Sequence, residues 1–320
     1  MNNQAYKSQY PTCPVTTSHE VKLNGVVKDP LLLTCRWPEN TPPKAVVIFC
    51  HGLGAGGQDY AQLSTELAAN GYFVVHPTFP DWIGAVAAAY PDLGIKLDAN
   101  NRFAWLNAPK VREQMFKILH SPSYWMERTL IVRQLLNGLD AILTSTCGRP
   151  KQPIPTAIAG HSFGAYTAQL FAGAEIDVPN KGKRQYKDKR LSAAILLSAQ
   201  GRDQQGLREG SWDQMTGPVL NVTGTLDGGA KGQDWHWKCE PYHQAPAGDK
   251  YLAVLDNADH YLGGMTPDDP NSGIPNQSQA VTQLSLAFLD AYLQNDLAAK
   301  LWLAAISDHI GDCKLLFEKK

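Results

Sequence analysis

Ala157-Ile158-Ala159-Gly160-His161-Ser162-Phe163-Gly164-Ala165 is the stretch from which the rest of the chain can be read. A short apolar run, Ala157 to Ala159, leads into Gly-x-Ser-x-Gly and then into a helix-like stretch from Ala165 to Gly173. Strand, sharp turn and helix in that order are the context of a nucleophile elbow. The turn strains the serine backbone and lifts its side chain clear of the sheet edge, so only small flanking residues avoid a clash. Ser162 is therefore the candidate nucleophile. An ordinary tight turn would read the same over five residues, so the reading depends on what the other segments supply.

The 320 residues carry 29 Lys+Arg against 30 Asp+Glu, and 43% are hydrophobic. These are the figures of a globular protein with a full core. Nothing in the charge balance points to nucleic acid. The longest apolar runs, such as Ala45 to Cys50, fall far short of the roughly 18 residues of a membrane span. Met1 to Ser18 is polar and lacks the apolar segment of a secretory signal, so the cytoplasm is the expected location. The six cysteines, Cys13, Cys35, Cys50, Cys147, Cys239 and Cys313, contain no Cys-x-x-Cys pair and read as free thiols. His236, Cys239 and His243 share a helical face, but with no fourth ligand they do not make a metal site. No metal and no cofactor are expected.

Short β-rich runs alternate with amphipathic stretches, which predicts a doubly wound α/β architecture with a mainly parallel sheet. Val15 to Leu23 and Leu31 to Trp37, joined through a turn at Asn24-Gly25, predict an antiparallel hairpin at one edge. Six continuous apolar runs follow: 45–50, 72–76, 156–159, 193–198, 219–223 and 251–255. Strands buried on both faces have this pattern. Apolar residues at three-and-four spacing predict helices over 126–144 and 279–295. From Asp81 to Tyr124 the chain is richer in Ala, Asn, Pro and aromatics and longer than a βα connection. It reads as an insertion over about 81–125, a lid or pocket wall, in one domain spanning 1–320. Lys181 to Arg190 reads as a solvated loop.

A serine hydroxyl needs an imidazole to take its proton and a carboxylate to orient that imidazole. The fifth parallel run ends in Thr223-Gly224-Thr225-Leu226-Asp227-Gly228-Gly229, and the sixth in Asp256-Asn257-Ala258-Asp259-His260-Tyr261. Active sites of open α/β sheets form at the carboxyl ends of the strands, so Ser162, Asp227 and His260 are expected to converge. Asp203, past the preceding strand, is the reserve acid. His51 is expected to brace a loop and His161 to pack away from the nucleophile. An oxyanion needs two backbone N–H donors. Phe163 supplies one, and Leu53, in the glycine-rich run His51-Gly52-Leu53-Gly54-Ala55-Gly56-Gly57, supplies the other. Such a loop can instead cradle phosphate, but four separate segments agree on the hydrolytic reading.

On the elbow, the His51-Gly52-Leu53-Gly54 loop and the acid and histidine loops, the chain resembles the α/β-hydrolase superfamily over most of residues 44 to 295. It looks like the serine branch near dienelactone hydrolases, platelet-activating-factor acetylhydrolases and bacterial polyester hydrolases. Dienelactone hydrolase has cysteine where this chain has Ser162, and the acetylhydrolases place their acid where this chain has Ser198-Ala199-Gln200. The resemblance implies an ester hydrolase acting through acyl-Ser162 on small-molecule esters. Two alternatives stay open: an acyltransferase or amidase on the same triad, and an inactive hydrolase fold used for binding. Trp235, Trp237 and Tyr242, past Asp227, are expected to wall the substrate pocket. Aromatics with few fixed cations favour short to medium uncharged esters.

Overall fold

The computed structural model describes residues 5–24, 30–98, 103–148, 153–264 and 275–320. In chain order the elements are β1 Val15–Leu23, β2 Leu31–Pro38, β3 Ala45–Cys50, α1 Ala61–Ala69, β4 Tyr72–Pro77 and α2 Ile83–Ala89. Then come α3 Pro109–Leu119, α4 Pro122–Thr146, β5 Thr156–His161, α5 Phe163–Ala172, β6 Glu175–Val178, β7 Gly182–Gln185 and β8 Leu191–Leu197. The chain finishes with β9 Val219–Gly224, α6 Trp235–Gln244, β10 Lys250–Leu255, α7 Pro275–Leu293, α8 Leu297–Ala305, β11 His309–Ile310 and β12 Cys313–Lys319.

Ten strands form one sheet in the order β1-β2-β4-β3-β5-β8-β9-β10-β12-β11. The central six, β4 to β10, run parallel, and they are the six apolar runs of the sequence. Every residue of β3, β4, β5 and β9 is buried, because helices cover both faces and leave no polar side to the strand. One face packs on α1, α7 and α8 through Leu63, Leu284, Phe288 and Leu303. The other packs on α4 and α5 through Val132, Leu135, Leu170 and Phe171. The hairpin β1–β2 lies antiparallel at one edge as expected, although Gly25 of its turn lies outside the described residues.

Lys181 to Arg190 is not all loop: Gly182–Gln185 forms β7, antiparallel to β6 in a small separate sheet. All four β7 residues are exposed, so backbone pairing holds the strand without a buried face to mark it in sequence. The second edge of the main sheet is antiparallel as well, with β12 paired to β10. Cys313 and Leu315 are buried while Lys314 and Leu316 are exposed, so the alternation that would have predicted β12 is present in the chain.

The insertion holds α2, α3 and the start of α4, whose first turn opens on Pro122, where a missing N–H costs nothing. Residues 99–102 within it lie outside the described residues. Ile83, Val86, Trp105, Val111, Met115 and Ile118 give it a small core of its own, which Leu53 joins from the glycine-rich loop. Among the described residues no helix is long and apolar enough to cross a membrane.

Candidate active site

Ser162 sits between β5 and α5 with φ 54° and ψ −120°, a conformation that few L-residues tolerate. The chain on either side is packed too closely for side chains: a Cβ on Gly164 would run into the Cys50 carbonyl, and one on Gly160 into the Gly164 backbone. Those contacts explain the two glycines of the motif. The turn aims the serine Oγ at His260, whose Nε2 lies 3.0 Å away. His260 Nδ1 donates to Asp227 Oδ1 at 2.9 Å. The three residues come from the ends of β5, β9 and β10, and the parallel sheet brings those ends to one edge. Asp203 is far more exposed, and its carboxylate pairs with Arg202 rather than with the imidazole.

Asp227 is fully buried and has four supports. Thr223 Oγ1 donates to its Oδ2 at 2.8 Å, and Lys238 Nζ stands 3.7 Å from Oδ1. Ser198 donates to the carboxylate, and its Oγ also lies 2.9 Å from His260 Nδ1 and accepts from Lys238 Nζ at 3.0 Å. Burial alone would raise the Asp227 carboxyl. The Lys238 ammonium, the His260 imidazole and the hydrogen bonds outweigh it and hold the group well below the usual carboxylate range. These groups hold Asp227 in its charged form.

His161 does more than pack. Its Nε2 donates to the His260 carbonyl at 2.7 Å, and its Nδ1 accepts from the Tyr60 hydroxyl at 3.0 Å. The Tyr60 oxygen accepts in turn from the Gly52 N–H at 2.9 Å. Burial, helped by His260, pulls His161 down to about 3, so the ring stays neutral and this one-way chain of donors is fixed. The histidine of the elbow therefore ties the His260 loop to the glycine-rich loop.

His51 braces that loop, donating from Nδ1 to Gly52 O at 2.8 Å and accepting from the Phe79 N–H at 3.0 Å. The fully buried Arg128 of α4 donates to His51 O at 3.0 Å and grips both carboxylate oxygens of Asp81, at 2.8 and 2.6 Å. Asp81 O then accepts from the Gly54 N–H at 3.1 Å. Within the loop, the Gly52, Gly54, Ala55 and Gly56 N–H groups are all taken up by Tyr60, Asp81, Gly52 and Asp59. The spacing of Gly52, Gly54 and Gly57 would also suit a dinucleotide, but the Gly52, Gly54, Ala55 and Gly56 amides are spent inside the protein. The Leu53 N–H has no internal acceptor among the described residues, nor has that of Phe163 at the first turn of α5.

A cavity of about 230 Å³ opens beside Ser162, with Leu53, His260 and Lys238 in its wall. The insertion contributes Phe103, Trp105, Leu106, Phe116 and Leu119. Of the three expected pocket aromatics only Trp237 lines it. Trp235 and Tyr242 pack with Cys239 onto Leu252 and Val254 of β10. The spacing explains this correction: 235, 239 and 242 fall on one stripe of α6, and that stripe faces the sheet. His236 stacks on Trp235 and pairs with Asp234, so His236, Cys239 and His243 do not converge. Among the described residues no group of three or more His, Cys, Asp or Glu could hold a metal ion. A larger cavity, about 650 Å³, lies beyond Trp105 against β2 and the insertion, and none of Ser162, Asp227 and His260 lines it.

The sequence reading missed Lys238, Ser198, Arg128, and the glutamines Gln200, Gln204 and Gln205 in the cavity wall. None of these sits in a motif, and what they touch is remote in the chain.

A mostly parallel sheet with antiparallel edges and a serine on a strained strand-to-helix turn is the arrangement of the α/β hydrolases. The model of the Alpha/beta hydrolase family matches residues 47–309, and the chain belongs to that family. The family supports a hydrolase. A search of curated proteins found no match.

Proposed function

We propose that the protein is a carboxylic ester hydrolase working through an acyl-Ser162 intermediate. The observation that carries this reading is the unbroken line from Ser162 Oγ to His260 Nε2, 3.0 Å, and from His260 Nδ1 to Asp227 Oδ1, 2.9 Å. His260 takes the Ser162 proton as the oxygen attacks the ester carbonyl. The Leu53 and Phe163 N–H groups hold the resulting oxyanion, and Asp227 stabilises the imidazolium. His260 returns the proton to the departing alcohol, then activates a water that frees the acid from Ser162. Within the resemblance, an acid after β9, with Ser198 at the acetylhydrolase position, argues against the acetylhydrolase side. The size of the cavity favours short to medium acyl groups.

The test is a p-nitrophenyl ester series from acetate to palmitate with wild type, Ser162→Ala and His260→Ala, alongside fluorophosphonate labelling. Both variants lose nearly all turnover, the probe marks Ser162 alone, and rates fall toward palmitate. Undiminished activity in Ser162→Ala would falsify the mechanism.

A further inference from the structure

Three glutamines follow β8 within six residues, and all three are more than nine-tenths buried in the wall of the Ser162 cavity. Gln200 Oε1, Gln204 Nε2 and Gln205 Oε1 have no hydrogen-bond partner in the protein, and neither has the buried indole Nε1 of Trp105 in the same wall. Buried polar atoms are nearly always paired, because an unpaired one forfeits its hydration. The Gln200 and Gln204 side chains make no hydrogen bond among the described residues, so two whole amides in the wall of one small cavity go unanswered, each able to donate and accept, which marks a recognition surface rather than packing.

The segment is held firmly enough to serve as one. Gln169 Nε2 donates to Gln200 O at 3.3 Å, and Tyr166 donates to Gln205 O at 2.7 Å. Gln205 is kept at φ 53°, in the left-handed region, and its own Nε2 is tied to Leu119 O at 3.1 Å. From the other side, Trp237 Nε1 donates to Arg202 O at 2.8 Å. Backbone strain kept in place by neighbours on three elements is a mark of preorganisation.

Charge in the wall is already committed. Lys238 is engaged by Ser198 and Asp227, and His161 is neutral. A ligand carboxylate or ammonium would lose its water here and gain no counter-ion. We propose that Gln200, Gln204 and Gln205 form a subsite for an uncharged substrate group that both donates and accepts hydrogen bonds, a hydroxyl or an amide, beside the scissile ester. This rests on the reading of Ser162 as the nucleophile and narrows its substrate from plain alkyl esters to polar ones.

Two matched pairs of p-nitrophenyl esters test it: N-acetylglycinate against 4-methylpentanoate, and 3-hydroxybutyrate against 3-methylbutanoate. In each pair the shape is kept and the polar group removed. With each rate normalised to hydroxide-catalysed hydrolysis, the polar member of at least one pair has a kcat/KM roughly tenfold or more above its isostere, because the isostere leaves the site's polar atoms unpaired. The pair that responds tells amide from hydroxyl. Gln200→Leu and Gln204→Leu each shrink that ratio toward one. Equal normalised rates in both pairs, with turnover intact, overturn the subsite and leave the esterase standing. No turnover of any ester, with Ser162 unlabelled, overturns the esterase. Binding of the corresponding methyl esters to Ser162→Ala then judges the subsite by itself: a polar member that binds no tighter than its isostere overturns it.

Discussion

The Lys238 ammonium stands 3.7 Å from the Asp227 carboxylate, with both side chains sealed from solvent. A buried lysine costs free energy unless its charge is answered, and burial does pull its pKa down against the opposing pull of Asp227. His260 is faced by Asp227 from the β9 loop, Lys238 from α6, His161 from β5 and Tyr261 beside it. Removing the cation leaves the carboxylate uncompensated next to the imidazole, which favours the protonated and inactive base. Lys238→Met is therefore expected to move the acid limb of the kcat/KM profile up by roughly one pH unit or more. A limb that stays in place reduces Lys238 to packing.

Asp227→Asn removes the acceptor that orients His260, and turnover should drop on the order of a thousandfold or more with the fold intact. Asp203→Asn and Asp256→Asn should change little, since neither carboxylate reaches the imidazole and both are exposed. Steady-state rates on one ester rank the three variants. A severe loss in Asp203→Asn with a mild one in Asp227→Asn would move the acid to the end of β8.

Acid should unfold the protein earlier than its carboxylates alone would. Burial pulls His51 down to about 4 and His161 to about 3, and lowers His76 well below its ordinary range. In the unfolded chain each titrates near ~6.5. Between that value and the folded one the unfolded state binds more protons, so stability rises with pH there and is lost as pH falls. Each ring contributes about 1.4 kcal/mol per pH unit, so the three together approach about 4 kcal/mol per unit near pH 5. Urea midpoints measured from pH 7 to 4.5 check this, and His76→Gln should flatten the slope by about a third. Midpoints independent of pH over this range would mean that the rings titrate inside the folded protein.

Arg128→Met should be costly in two ways. It strands the buried Asp81 carboxylate, at about 3–5 kcal/mol. It also frees the His51 carbonyl and loosens the loop that carries Leu53, so kcat should fall along with the melting temperature. Adding Asp81→Leu removes the stranded charge and should recover much of the stability but not the rate. If rate and stability return together, the pair acts only on the fold.

The elbow and the six parallel strands were legible because their causes are local. A strand buried on both faces must be apolar throughout, as at Ala45–Cys50 and Val219–Gly224, and a strained turn next to another chain segment admits only glycine at 160 and 164. The order of Ser162, Asp227 and His260 followed from the same strands, since a parallel sheet collects their carboxyl ends. Helical phase in α6 was also in the sequence, in the spacing of Trp235, Cys239 and Tyr242, and it assigns Trp235 and Tyr242 to the core.

The remaining features depend on partners far apart in the chain. Lys238 meets Ser198 across 40 residues, Arg128 meets Asp81 across 47, and His161 reaches the His260 carbonyl across 99. A lysine, an arginine or a glutamine reads in sequence as a solvated side chain, and only the packing around it decides whether its polar atoms are answered. For Lys238 and Arg128 the fold supplies the partner; for Gln200, Gln204 and Gln205, in the cavity wall, it leaves polar atoms unpaired, and no local pattern records the difference.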